Sequence, residues 1–350
     1  MSQLRPPIGL KVVRLGGYSL LWRPLACGVL GMMAIAVLAV LLFALSRGSL
    51  ALPTSALLRG VLYPQALTPA EHYTLWDIRL PRLLMALLVG AMLGISGASM
   101  QSLTGNGLAD PSLLGVKEGA GVVVLTQMLL FPAMGLLWRP VSGMLGGMLA
   151  ALIVWLLARD LSRQRFILTG LGLSWMFAGV LGIFMTTADV RDVQTVLLWM
   201  TGSLNAVTWP LLLAAMGWAL PALVVLLVTA KAADIALLGK STALGLGVRL
   251  PLFTLLRFLA PVMLTATSVS CVGSIGFVGL MAPHLVRLFL VGGQLTLLFG
   301  SAMVGALLVL VADSCGRLLF APLQLPAGII IALLGGPFFL LLLWQRRDRF

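Results

Sequence analysis

Long apolar runs alternate with short polar interruptions along most of the chain. The runs cover 24–45, 82–103, 112–132, 141–159, 166–187, 208–230, 255–273, a short one near 276–290, 295–313 and 326–344. A membrane-crossing helix needs about 20 consecutive apolar residues, and most of these runs reach that length. The eighth is shorter and carries Pro283 among several glycines, which predicts a broken span. The expected fold is all-α: a polytopic membrane protein of about ten transmembrane helices, several short or broken. No polar linker sets off a second domain. The predicted organisation is an N-terminal segment 1–23, one transmembrane domain 24–345 and a tail 346–350.

The stretch from Arg79 to Ala120 is the most patterned. Arg79 and Arg82 flank a proline, then a glycine-rich apolar span begins, and Gly105–Pro111 interrupts it before the next run. Small residues let membrane helices approach closely, so Gly90 and Gly94, or Gly143 and Gly147, suit internal helix packing. Two longer polar segments stand out. One is 46–81, with Pro53, Pro64, Pro69, Glu71, His72 and Asp77; the other is 231–254. The second mixes small, apolar and polar residues around glycines, as short surface helices meeting a soluble partner would.

Composition narrows the class. The 350 residues are 60% hydrophobic and 9% charged, against about 25% charged in soluble domains. The net charge of +13 does not point to nucleic acid, because the charges fall in the gaps between apolar runs, as the positive-inside rule describes. With ten spans both termini share a side. Arg5, Lys11, Arg14, Arg23, Arg159, Arg163, Arg165, Lys231, Lys240, Arg249, Arg257, Arg346, Arg347 and Arg349 lie on that side. Only Arg47, Arg59, Arg79, Arg82, Arg139, Arg191 and Arg317 lie opposite, which puts both termini in the cytoplasm and Arg79, Arg82 and Arg317 outside. The first run is longer than the apolar core of a cleaved signal peptide and reads as a retained span.

Candidate chemistry is sparse. Cys27, Cys271 and Cys315 have no metal-like spacing, and two histidines, His72 and His284, do not make a metal site. No nucleophile–base pair and no cofactor motif stands out. Gly239-Lys240-Ser241-Thr242 resembles the end of a phosphate-binding loop, but Asp234 occupies the position of its first glycine, so no ATP site is expected on this chain. No chain of buried carboxylates suggests a proton relay, which argues against an ion-coupled secondary transporter, the rival class. Lys117 and Glu118, about one turn into the third span, are the exceptions, along with His284 and Arg287 in the broken one.

Eight runs, in order, carry a family resemblance. They are Arg79–Arg82, Gly97–Gln101, Asn106–Gly115, Leu198–Leu204, Ala243–Val248, Gly273–Arg287, Ala312–Arg317 and Leu325–Phe338. Together they resemble the membrane permeases of the ferric-siderophore, haem and vitamin B12 class of ABC importers, over about residues 47 to 345. The resemblance implies an inner-membrane subunit paired with a second permease, identical or not, around a central path. It also implies two ATPase subunits below and a soluble substrate-binding protein above, with a ferric siderophore or ferric citrate as cargo; haem and cobalamin are the alternatives.

Carried over residue by residue, the resemblance makes Arg79, Arg82 and Arg317 the docking points for acidic groups of the binding protein. It makes Leu238–Leu250 the coupling segment against the ATPase, with Leu238, Gly239, Ala243, Leu244, Gly245 and Gly247 as its candidates. The second, fifth and eighth spans are expected to border the path, with Gly97, Met100, Gln101, Gly276, Phe277 and Gly279 as candidate wall residues, and Gly97, Gly276 and Gly279 also as close-packing positions. The chain departs from the family pattern at Gly107, at Lys117-Glu118, at Gln324 and at Gly292-Gly293-Gln294.

Overall fold

A computed structural model describes residues 11–15, 18–22, 24–48, 60, 63, 65, 67–131, 133–135, 138–158 and 164–345. The tail 346–350 and residues 1–10 of the N-terminal segment lie outside them. A small antiparallel hairpin, Lys11–Leu15 with Tyr18–Trp22, precedes the first span. All other regular structure among the described residues is helical.

The helices are α1 (Pro24–Ser46), α2 (Pro69–Thr104), α3 (Val116–Leu130), α4 (Arg139–Ala158), α5 (Gln164–Thr187), α6 (Val190–Met200) and α7 (Trp209–Val228). Two short helices follow, α8 (Ala230–Ala236) and α9 (Lys240–Gly245). Then come α10 (Leu250–Val272), α11 (Val278–Phe289), α12 (Gln294–Leu318) and α13 (Ala327–Gln345). Eight of the described helices are long and apolar enough to cross a membrane. α11 is a shorter apolar helix at the place of the eighth run, and the 15-residue α3 occupies the place of the third.

Three boundaries differ from the hydropathy reading by five residues or more; one is the end of α12, which runs on from 313 to Leu318 and takes in Arg317. Residues 69–81 are not loop: they extend α2 by several turns, seven of those residues in π-helical form. Thr68 starts this extension with a capping box, its hydroxyl accepting from the Glu71 N–H while the Glu71 carboxylate accepts from the Thr68 N–H. Another is α10, which starts at Leu250 instead of 255, so Arg257 lies two turns inside a buried helix and not at its cytoplasmic edge.

The centre of the molecule is the antiparallel pair α2 and α12. Glycines set its spacing: a methyl group on Gly90 would overlap the Gly305 carbonyl, and one on Gly94 the Ser301 carbonyl. The two backbones therefore touch, as small residues permit in membranes. α10 lies across the same helix, where the Ser96 hydroxyl donates to the Pro261 carbonyl at 2.7 Å and accepts from the Thr265 hydroxyl at 2.6 Å. By contrast α1, α5 and α13 expose most of their apolar surface. Such helices face lipid or another subunit.

α11 explains the short eighth run. Its 12 residues rise only about 18 Å, whereas the hydrocarbon core is about 30 Å thick. A short non-helical segment joins it to α10. Its backbone is held by protein: Gly273 packs on the Trp199 carbonyl, Gly202 on Ser274, and the Ser203 N–H donates to the Val272 carbonyl at 2.8 Å. Gly328 joins the same knot, donating to Gly202 at 3.1 Å. Irregular backbone is tolerated at membrane depth only under such protein cover.

Candidate functional site

Three places carry the polar chemistry: the two ends of the α2–α12 pair and a cavity beside the broken helix. At the first end Arg82 makes a two-pronged contact with Asp313. Its Nη2 lies 2.8 Å from Oδ1, and its Nε lies 3.1 Å from each carboxylate oxygen, while its Nη1 donates to Gln324 at 3.0 Å. Planar guanidinium and carboxylate match in this geometry. Arg79 donates to the Leu45 carbonyl at 2.5 Å and Arg317 to the Ala44 carbonyl at 2.8 Å. Those carbonyls belong to the last turn of α1, where no helical N–H reaches them and a cation is electrostatically favoured.

This arrangement differs from the expectation of three outward arginines. Arg79 and Arg82 are buried and Arg317 is half-buried, and each is engaged within the chain. Sequence reading placed them at the right end of their helices. It could not show that Asp313, from the same motif as Arg317, turns toward Arg82.

At the opposite end lies the segment expected to couple. α8 and α9 are joined by Gly239 at φ 107° and closed by Gly247 at φ 83°, backbone angles that favour glycine. Leu238 and Leu244 are 66% and 59% exposed, and Leu246 stands out beside them. Gly239, Gly245 and Gly247 are also exposed, but Ala243 is buried and holds α9 to the molecule. A polar network behind this segment was not foreseen. The Asp234 carboxylate accepts from the Gln294 N–H at 2.8 Å, the Gln294 side-chain amide donates to Ser102 at 2.9 Å, and Arg257 donates to the Gln294 carbonyl oxygen at 3.0 Å. Only the departure noted at Gly292-Gly293-Gln294 hinted at it.

The cavity, about 410 Å³, opens between α5, the start of α3 and the start of α11. Asp110, Lys117, Glu118, Ser174, Gly276 and Phe277 line it. Lys117 and Glu118 pair with each other at 3.3 Å, and both also border a second cavity of about 320 Å³ beside Trp199. Asp110 accepts from the Ser112 N–H at 2.9 Å and sits 3.0 Å from where a Gly279 methyl would be. Its carboxylate thus faces the N-terminal turn of α11, which favours negative charge. Burial still pushes the Asp110 carboxyl above the usual range, against the pull of the Ser112 hydrogen bonds and the Lys117 charge. The break 105–110 that carries it is an Asx turn, with Asn106 accepting from the Leu108 N–H at 2.9 Å.

The six candidate wall residues divide. Gly276 and Phe277 line the cavity, and Gly276 has open space where a side chain would be, so it is not a packing glycine. Gly97 and Gly279 touch backbone to backbone, Met100 is fully buried, and Gln101 bridges α2 to α11. These four hold the broken helix in place and do not face the opening.

The sequence of residues 33–345 matches the model of the FecCD transport family. The chain belongs to that family. It is 34% identical over 324 residues to the iron-uptake system permease protein FeuC of Bacillus subtilis, covering 89% of this chain and 95% of that one. It is 36% identical over 277 residues to the Fe(3+) dicitrate transport system permease protein FecD of Escherichia coli, covering 79% and 87%. Its fold matches an inward-facing metal-chelate type ABC transporter with a TM-score of 0.79 and 28% identity, over 91% of this chain and 99% of that one. This FecCD-family chain is therefore a multi-pass membrane permease, and the ATP-hydrolysing machinery of such a transporter resides on other subunits.

Proposed function

We propose that this FecCD-family chain is the permease subunit of an ABC importer that carries an iron complex, a ferric siderophore or ferric citrate, across the cytoplasmic membrane. The observation that carries the reading is the family match over almost the whole membrane domain. The permease pairs with a second permease, identical or related, through the apolar faces that α5 and α13 leave uncovered. Two ATPase subunits bind at the α8–α9 end, where Leu238, Leu244 and Leu246 offer apolar anchors beside Lys240 and Arg249. A soluble binding protein docks at the Arg79 end. Three guanidiniums and one carboxylate leave that end net positive, which favours acidic groups on the partner.

Transport follows from two states with different partner affinities. ATP binding moves α8 and α9, the helices bordering the cavity shift, and Gly276 and Phe277 change which side they face. The test is reconstitution in lipid vesicles with the ATPase subunits and binding protein, measuring uptake of radio-iron as ferric citrate or as ferric siderophores, with haem and cobalamin as comparison cargoes. Vanadate-sensitive iron uptake supports the reading. Uptake that is insensitive to vanadate, or confined to haem or cobalamin, overturns it.

A further inference from the structure

Arg257 is 1% exposed in the middle of an apolar bundle. A charge in that position is costly to bury and tends to mark function in membrane proteins. Among the described residues no carboxylate touches it. Its Nη2 donates to the Gln294 carbonyl oxygen at 3.0 Å, its Nη1 donates to the Leu226 carbonyl at the end of α7 at 3.3 Å, and its Nε has no partner. A neutral amide makes the direct contact, while the Asp234 carboxylate acts on the guanidinium from beyond hydrogen-bond distance.

Gln294 joins four helices. Its side-chain carbonyl takes Arg257 of α10, its side-chain amide holds Ser102 of α2, and its backbone N–H holds Asp234 of α8, while Gln294 itself opens α12. Gln101, which precedes Ser102 on α2, holds a different helix. Gln101 donates to the Gly279 carbonyl at 3.2 Å and accepts from Arg287 at 2.5 Å, and both partners lie on α11. α11 begins at Phe277, the non-glycine residue with positive φ, 64°, among the described residues. A phenylalanine held there is strained, and such strain gathers at switch regions. Phe277 also lines the larger cavity. Two hydrogen-bonded groups, Asp234–Gln294–Ser102 and Gln101–Gly279/Arg287, therefore meet at adjacent residues of α2, and the second holds the helix that follows Phe277.

We infer that Gln294 is a positioning residue that couples movement of α8 to the Phe277 hinge, through Ser102 and Gln101. The inference rests on reading α8 and α9 as the ATPase-facing surface. A glutamine suits the task physically. An amide holds Arg257 less firmly than a carboxylate would, and it can exchange its partners when α8 shifts. Capping of α12 alone would need only the Asp234 contact to the backbone N–H, and would leave the side-chain bonds to Ser102 and Arg257 without purpose.

The test uses the whole transporter in vesicles, with ATPase subunits and binding protein, and reads iron transported per ATP hydrolysed. In Gln294→Leu the subunits still assemble and basal hydrolysis stays within about twofold, while iron per ATP falls about tenfold. Ser102→Ala removes one small group and is the milder variant; it lowers the same ratio about threefold. Gln294→Leu that fails to assemble leaves Ser102→Ala to decide. An unchanged ratio in Ser102→Ala, or hydrolysis and transport falling in step in both variants, overturns the proposal. Leu244→Asp separates the two readings. If it leaves the ATPase bound, the surface assignment fails and the relay with it. If it releases the ATPase while Ser102→Ala behaves as the parent, the relay alone fails.

Discussion

The two ends of the α2–α12 pair solve the same problem in opposite ways. Each must tie an antiparallel helix pair together in a membrane, and each uses a buried arginine. At one end Arg82 is matched by a carboxylate with two-pronged geometry, and Gln324 takes a further N–H. At the other end Arg257 is met by an amide and a backbone carbonyl, with its Nε unpartnered. The first is a charge-compensated clamp, and breaking it strands a charge. The second holds through several weaker bonds, each replaceable. Between them the glycine contacts keep the helices at one fixed spacing. In the rocking motion proposed above, the first joint keeps the pair together and the second yields.

Breaking the clamp should have the largest effect. Arg82→Glu places two buried carboxylates together, and loss of a buried partner costs about 3–5 kcal/mol. The expected outcome is a permease that melts at markedly lower temperature in detergent, or fails to fold. The paired replacement Arg82→Met with Asp313→Leu should recover most of that loss, because no lone charge remains. Docking of a binding protein is therefore better probed at Arg79 and Arg317 than at Arg82.

The spacing between the ends comes next. Gly94→Val puts a branched side chain against the Ser301 backbone, and overpacking of this kind costs about 1–3 kcal/mol. Thermal melting of the purified permease should show it, and Gly28→Val on α1, where nothing lies within 4 Å, should leave melting unchanged.

Surface effects should be smaller in stability and larger in assembly. Leu244→Asp is expected to leave permease melting unchanged and to weaken ATPase binding at least about tenfold, as loss of an interface anchor does. Co-purification of the ATPase from detergent reads this directly. Arg317→Ala removes a cation from the last turn of α1 and should cost about 1 kcal/mol of stability, with Arg317→Lys keeping part of it. Smallest of all, Lys117→Met breaks a half-exposed pair that contributes about 0–1 kcal/mol. Its consequence should appear in cargo preference and scarcely in melting.

Much of this was legible in the order of residues. The ten runs, the short broken span before Arg287 and the glycine spacing in α2 all follow from rules that act along one helix: the length needed to span lipid, the breaking effect of proline and glycine, and close approach at small residues. The exposed α8–α9 segment was visible for the same reason. The resemblance singled out Arg79, Arg82 and Arg317, which lie at one end of the α2–α12 pair, and Leu238–Leu250, which lies at the other. Side-chain partners were not legible. Asp313 finds Arg82 across 231 positions of sequence, and Gln294 finds Ser102 across 192. Nothing in either local run distinguishes a side chain that faces a solvent-borne partner from one that folds inward.

The sequence by itself determined a many-helix membrane permease of one family, because hydropathy and motif order depend only on neighbours along the chain. Tertiary structure alone decided which polar groups are satisfied by which. It gave the three arginines expected to dock a partner contacts within the chain, as a clamp and two helix caps. It moved Arg257 from the cytoplasmic end of its span into the core and brought the expected close-packing glycines Gly97 and Gly279 against each other. The physical reason is that burying a polar group in lipid is costly unless a partner meets it, and those partners arrive from other helices.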